Sequence, residues 1–258
     1  MVPTNIIKNV LITGASGSLG RLIREIYWDK NLTLISRSKL VLKKNEVWLE
    51  AQDLVNSQWW SEFRFDGEYD LIIHFAEPVK KSLSIDYVNK IVESHTEFIT
   101  NASKSGALII YPLSAYSYDS KISKSQLGYF QIKTKVSEKN KSNKNVIFPI
   151  IHPLVDYGSG LNKLISIEKK IPLVNIFCSF NAQLPILKKE DLELFFININ
   201  QVDLNQKDVY SDIRSISKIF YSKERFNFKF LSIIFKIICL TFSYSSQIKM
   251  LVKGRKII

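Results

Sequence analysis

The sequence predicts an α/β fold: a Rossmann-type, doubly wound parallel sheet with a small C-terminal substrate-binding region. Three observations carry it. Short apolar runs alternate with segments whose apolar residues recur at helical spacing, between residues 10 and 151. The first apolar run ends in a glycine-rich turn that opens a helix. Beyond Gly158 the alternation loosens into shorter elements, as an appended region would.

Taken in order, Val10, Leu11 and Ile12 form the first strand, and Leu19, Leu22, Ile23, Ile26 and Tyr27 give the next segment one apolar helical face. Residues 32–35, 47–49, 70–75, 107–111 and 146–151 read as five more strands. Helices are expected over residues 85–104 and, after a polar loop at 119–126, over 129–139. Right-handed crossovers between parallel strands turn this alternation into a doubly wound sheet. The boundary is expected at 157/158, giving a nucleotide-binding part over 1–157 and a smaller part over 158–258. No internal repeat or low-complexity linker separates them, so one packed body is expected.

Composition narrows the partners. With 46% hydrophobic and 23% charged residues, the chain is not collagenous, disordered or a disulfide scaffold. Its 36 Lys and Arg outnumber 24 Asp and Glu, giving a net charge of +12 that favours anionic partners of any kind. The basic residues are scattered and no helix-turn-helix, RNP or zinc-finger pattern occurs, so no nucleic-acid partner is expected. Cys178 and Cys239 stand alone, and three separated histidines do not complete a metal site, so none is expected. His74 and His152 on strands and His95 in a helix read as packed or hydrogen-bonded groups. No basic segment followed by an apolar stretch opens the chain, and the apolar stretch at 230–244 is interrupted by Lys236; a cytoplasmic location is the expectation. Residues 226–258 carry six basic residues and no acid. They read as a core helix of the substrate region with a basic end, a weak association with a membrane surface being the alternative.

Two segments carry chemistry. Thr13-Gly14-Ala15-Ser16-Gly17-Ser18-Leu19-Gly20 joins the first strand to the first helix. Gly14 permits the tight turn, Gly17 lets a pyrophosphate approach the backbone, and Gly20 allows close packing of helix on sheet. At the end of the second strand stands Ser36-Arg37-Ser38 in place of an acid, which suits a 2′-phosphate and favours NADP over NAD. Tyr129 and Lys133, four residues apart, share a helix face, where the ammonium is expected to lower the phenol's pKa toward neutrality. Ser114 follows the fifth strand, at the edge where such sheets bind ligands, and can hold a carbonyl oxygen while Tyr129 moves a proton.

With those residues in place, the chain resembles the extended short-chain dehydrogenase/reductases of the nucleotide-sugar epimerase, dehydratase and reductase group. Residues 13–20 resemble the family's TGxxGxxG, Asp53-Leu54 its adenine-contacting pair, and His74-Phe75-Ala76 its HxA segment. Residues 113–118 resemble the serine-bearing stretch of the 4-epimerases, and Tyr129 with Lys133 the catalytic pair. Pro153 with residues 157–160 resembles the RPxxxYGPG turn, and Glu190-Asp191-Leu192 a later helix start.

The resemblance implies an NAD(P)-dependent enzyme with Ser114, Tyr129 and Lys133 as catalytic residues. It places the cofactor on Gly14, Gly17, Ser18, Leu19, Gly20, Ser36, Arg37, Asp53, Leu54, Phe75, Ala76, Tyr129, Lys133 and Pro153, and the substrate on Ser114, Ala115, Tyr129 and Val155. Ala115 and Tyr116 stand where the family's dehydratases carry an acid pair, which argues against dehydration. His152 and Val155 replace the usual arginine and asparagine. The activity expected is 4-keto reduction or 4-epimerisation of a nucleotide-activated sugar at C4, in surface polysaccharide synthesis, with a homodimer through the long helices. The competing reading is a catalytically degenerate module that senses the cofactor or serves as a membrane-associated scaffold.

Overall fold

Six parallel strands form the central sheet of the computed structural model, which describes residues 7–53, 55–65, 69–77, 83–114, 127–151, 183–199, 208–209 and 212–215. They are β1 (Asn9–Thr13), β2 (Asn31–Ser36), β3 (Glu46–Glu50), β4 (Leu71–His74), β5 (Leu108–Ile110) and β7 (Val146–Ile147). Their spatial order is β3-β2-β1-β4-β5-β7. The chain runs outward from β1 to β3 and then returns to pair β4 on the other side of β1, Thr13 opposite His74. The carboxyl ends of β1 and β4 therefore flank the topological switch point, where doubly wound sheets bind ligands.

The apolar runs are strands because both faces of the sheet are covered: Leu11, Ile12, Leu34, Ile35, Leu71, Ile72, Ile73, Ile109 and Ile110 are fully buried. Each such side chain contributes about 1.5–3 kcal/mol of transfer free energy. Helix α1 (Ser18–Ile26) buries Leu22 and Ile23, and α3 (Ile85–Lys104) buries Ile91, Phe98, Ile99 and Ala102. Ser84 starts α3 by accepting the Tyr87 N–H at 3.2 Å, and Gly106, at φ +83°, lies just beyond its end, in the left-handed region glycine tolerates. Helix α4 (Leu127–Asn140) packs along α3.

Two features differ from the expected pattern. The sixth strand is interrupted: Phe148 and Pro149 separate β7 from β8 (Ile150–Ile151). Proline offers no N–H to a ladder, and β8 leaves the main sheet to pair in parallel with β6 (Leu113–Ser114). Helix α2 (Ser57–Glu62) fills the stretch after β3; it is too short to show a period, and the Asn56 side chain caps it by accepting the Trp59 N–H at 3.1 Å.

The chain divides into two compact units. The first comprises residues 1–120, 124–151 and 193–208, and the second residues 121–123, 152–192 and 209–258. Helix α5 (Lys189–Ile197) begins in the second and ends in the first, and β10 (Asp208–Val209) stands at their boundary. Within the second unit, β9 (Gln183–Ile186) pairs antiparallel with β11 (Asp212–Ser215). The basic tail at 226–258 lies outside the described residues.

Candidate active site at the sheet switch point

The glycine loop is shaped by three different demands. Gly14 has φ +68°, and a Cβ there would sit 2.9 Å from the Ala76 nitrogen on the neighbouring strand end. At Gly20 a Cβ would lie 2.5 Å from the Gly14 carbonyl oxygen and 2.7 Å from Ala15 Cα, so helix and loop meet only through glycine. Gly17 is different. It is exposed, and a Cβ would meet only the Gly14 oxygen at 3.2 Å. Gly17 also caps α1 without any side-chain hydrogen bond, and the first turn, with Ser18 and Leu19, carries no acid. An open, uncapped, uncompensated helix N-terminus fits a pyrophosphate.

Of Ser36, Arg37 and Asp53, expected beyond β2 and β3, the structure brings only two together with a third partner. Arg37 is exposed just beyond β2. The Ser36 side chain is engaged by the protein itself: its hydroxyl donates to the Ser38 carbonyl at 2.6 Å and accepts the Trp48 indole N–H at 3.0 Å. Asp53 is exposed, and the Tyr87 hydroxyl of α3 lies 3.5 Å from its Oδ1. The charge of Asp53 adds to partial burial in raising the Tyr87 pKa, and Arg37 acts against them. Tyr87 thus joins Arg37 and Asp53 in one group, which the sequence pattern did not mark.

Beneath the loop, Thr13 ties β1 to β4. Its Oγ1 accepts the Ala76 N–H at 3.0 Å and lies 2.6 Å from His74 Nδ1. His74 Nε2 bonds in turn to His95 Nδ1 of α3. Phe75, between these contacts, places its ring 6.4 Å from that of Phe196. The two histidines are hydrogen-bonded core groups, as the sequence suggested, and no metal-binding group of three is found among the described residues.

Tyr129 and Lys133 sit on α4, which packs against β6 and so against the backbone of Ser114. The expected direct pairing of phenol and ammonium is not the dominant arrangement. The Lys133 ammonium is buried, lies 4.1 Å over the Tyr111 ring and 5.9 Å from the Tyr129 ring, and forms an ion pair with Glu77 Oε1 at 2.9 Å. Tyr111 donates its hydroxyl to the same oxygen at 2.5 Å. Burial lowers the Lys133 pKa, against which Glu77 acts. Burial, with the Glu77 charge adding to it, raises the Tyr129 pKa rather than lowering it. Tyr129 is therefore a protonated phenol at neutral pH: a donor first. Glu77 was missed because it lies one residue past the His74-Phe75-Ala76 motif and 56 positions from Lys133; only the fold brings them together. Leu54, Ala115, Pro153 and Val155 lie outside the described residues.

No protein-family model matches the chain, and no curated protein matches it. Solved structures do. The Bordetella bronchiseptica enzyme WbmG, in complex with NAD, superposes with a TM-score of 0.64 at 17% identity, over 85% of this chain and 78% of that one. A UDP-glucose 4-epimerase from Thermotoga maritima, solved with UDP-glucose, does so at TM-score 0.59 and 12% identity, over 85% of each chain. A dTDP-4-dehydrorhamnose reductase from Clostridium acetobutylicum gives 0.57 at 17% identity, over 82% and 79%. The chain has the fold of these enzymes. What that fold holds at its switch point, in this sequence, is a glycine loop and a Tyr–Lys helix beside a buried glutamate.

Proposed function

We propose that the chain is a nicotinamide-dependent oxidoreductase or epimerase that acts at C4 of a nucleotide-activated sugar. The observation that carries this reading is the co-location, in one unit, of the open Gly17 helix N-terminus with the Tyr129–Lys133 helix. Support comes from solved enzymes of the same fold that hold NAD, in one case with UDP.

The residues present fit a dinucleotide. The loop from Gly14 to Gly20 would take the pyrophosphate, and Arg37 a 2′-phosphate, which favours NADP, with NAD the alternative. When bound, such a cofactor supplies a hydride donor or acceptor. The protein's part is proton and charge control. Tyr129, protonated, donates to the sugar oxygen during reduction of a keto group, and takes the proton back in the reverse step. Ser114, at the edge of β6, would hold that oxygen. Lys133 would bind a ribose hydroxyl.

The raised Tyr129 pKa keeps the phenol protonated but makes it a weaker acid, so it does not separate net 4-keto reduction from 4-epimerisation; both use Tyr129, and the preference for NADP that Arg37 suggests leans toward net reduction. Surface polysaccharide synthesis in the cytoplasm is the setting this chemistry suits, with a homodimer as the working assembly. Tyr129→Phe tests the reading. Turnover of a 4-keto nucleotide sugar should fall by about 10²–10⁴ while dinucleotide binding is kept. Absence of turnover by the wild type on any nucleotide sugar would favour the degenerate module.

A further inference from the structure

Glu77 has no part in the residue pattern that suggested the activity, yet it is buried in the site and paired there. Its side chain is 7% exposed and that of its partner Lys133 3%. Oε1 takes both the Lys133 ammonium and the Tyr111 hydroxyl, while Oε2, also buried, has no hydrogen-bond partner among the described residues. A carboxylate in that setting is costly to bury and is retained only beside a cation. The ammonium, for its part, sits on the Tyr111 ring face. Tyr111 thus touches both charges and fixes the distance between them.

Resting on the enzyme reading above, we propose that Glu77 is a positioning residue: with Tyr111 it seats the Lys133 ammonium as a paired cation beneath the site, so that the lysine meets its ligand charged and in one place. Glu77 touches neither sugar nor cofactor in this account. It acts through Lys133. The groups facing the ammonium are Glu77, the rings of Tyr111 and Tyr129, and, through the buried cluster, His95 and His74, both of which burial keeps neutral. Glu77 is therefore the one anion among the described residues that holds this lysine charged.

The test is an NMR titration of protein carrying 13Cε-labelled lysine, with Lys133→Met to assign the resonance. In Glu77→Gln the Lys133 midpoint should fall by at least about one pH unit relative to wild type, and Glu77→Asp should restore most of the difference. An unchanged midpoint in Glu77→Gln would overturn the proposal. Should Glu77→Gln fail to fold, the double variant Glu77→Gln/Lys133→Met, which buries neither charge, should fold again; failure of that rescue would also overturn it, because Glu77 would then matter for packing rather than for the lysine. Binding supplies the functional readout. NADPH affinity of Glu77→Gln should weaken as pH rises through the lowered midpoint, where wild-type affinity stays level. Because the titration needs no ligand, it reads the Glu77–Lys133 relation even if wild-type protein binds no dinucleotide, which would be the failure of the enzyme reading alone.

Discussion

His74 on β4 and His95 on α3 are joined nitrogen to nitrogen by one hydrogen bond in the core. Thr13 Oγ1, which accepts the Ala76 N–H, also meets His74 Nδ1, and His74 Nε2 meets His95 Nδ1, so each contact needs one donor and one acceptor and the two rings must take matching tautomers. Both rings are neutral, since burial drops the His95 pKa from its ordinary 6.5 to about 4 and lowers that of His74 as well. The chain links the loop end of β1 to the helix that covers the sheet.

This pair makes stability depend on pH. Each histidine binds its proton more readily in the unfolded chain, so stability falls as pH drops from about 6.5 toward 4, by about 3 kcal/mol for His95. Urea unfolding at pH 7 and 4.5 reads this. His95→Leu should be less stable at pH 7 by about 1–3 kcal/mol, because buried His74 Nε2 loses its hydrogen-bond partner, yet lose less on acidification. Equal acid slopes in the two proteins would mean that His95 is charged in the fold.

The glycine loop separates folding from binding. Gly20→Ala places a Cβ against backbone atoms that cannot yield, and should destabilise the protein by at least about 2 kcal/mol. Gly17→Ala meets little of the protein and should leave stability within about 1 kcal/mol of wild type while weakening dinucleotide binding at least tenfold. Thermal unfolding and a binding titration on the same samples distinguish the two effects.

Arg37 sets cofactor preference in this account. Arg37→Ala should weaken NADPH by about 10–100-fold, the worth of a charged hydrogen bond, and leave NADH within about twofold. Parallel loss of both cofactors would place Arg37 elsewhere in the site.

Arg24 and Glu46 form a part-buried ion pair that ties α1 to β3. Arg24 donates Nε to Glu46 Oε1 at 3.0 Å and Nη2 to Oε2 at 2.7 Å, and the Lys43 N–H adds a third bond at 2.8 Å. Burial acts to raise the Glu46 pKa, but Arg24 and the Lys43 N–H together bring it below its ordinary value. The folded chain therefore holds this proton less readily than the unfolded one. Its contribution is present above the ordinary carboxylate pKa and is lost as pH falls below it. Arg24→Met should cost about 1–3 kcal/mol at pH 7, measured by urea unfolding, by taking two charged hydrogen bonds from the Glu46 carboxylate.

The main sheet was legible because strands buried on both faces write themselves as apolar runs, and the β1 loop because Gly14 and Gly20 have no sterically acceptable substitute. The sixth strand was read too long since Phe148 and Ile150 look like strand residues on either side of Pro149; what divides them is the proline's missing donor. Helix α2 was hidden by its length, its start fixed by Asn56 rather than by a period. The Tyr129–Lys133 spacing was read correctly as one helix face, but its electrostatics were not. Spacing along a helix reports neighbours four residues apart; it says nothing of the burial that raises the Tyr129 pKa, nor of Glu77, which follows β4 and adds to that effect. Tyr111 was hidden for the same reason, counted as an apolar strand residue until its hydroxyl found Glu77.

The most direct measurement is a fluorescence titration of the purified protein with NADPH and, separately, NADH. The account predicts saturable binding of NADPH, tighter than NADH. Tighter NADH would remove the role given to Arg37 and favour an epimerase that retains NAD. Binding of neither would contradict the account at its centre, leaving the Gly14–Gly20 loop as a way to join a strand to a helix.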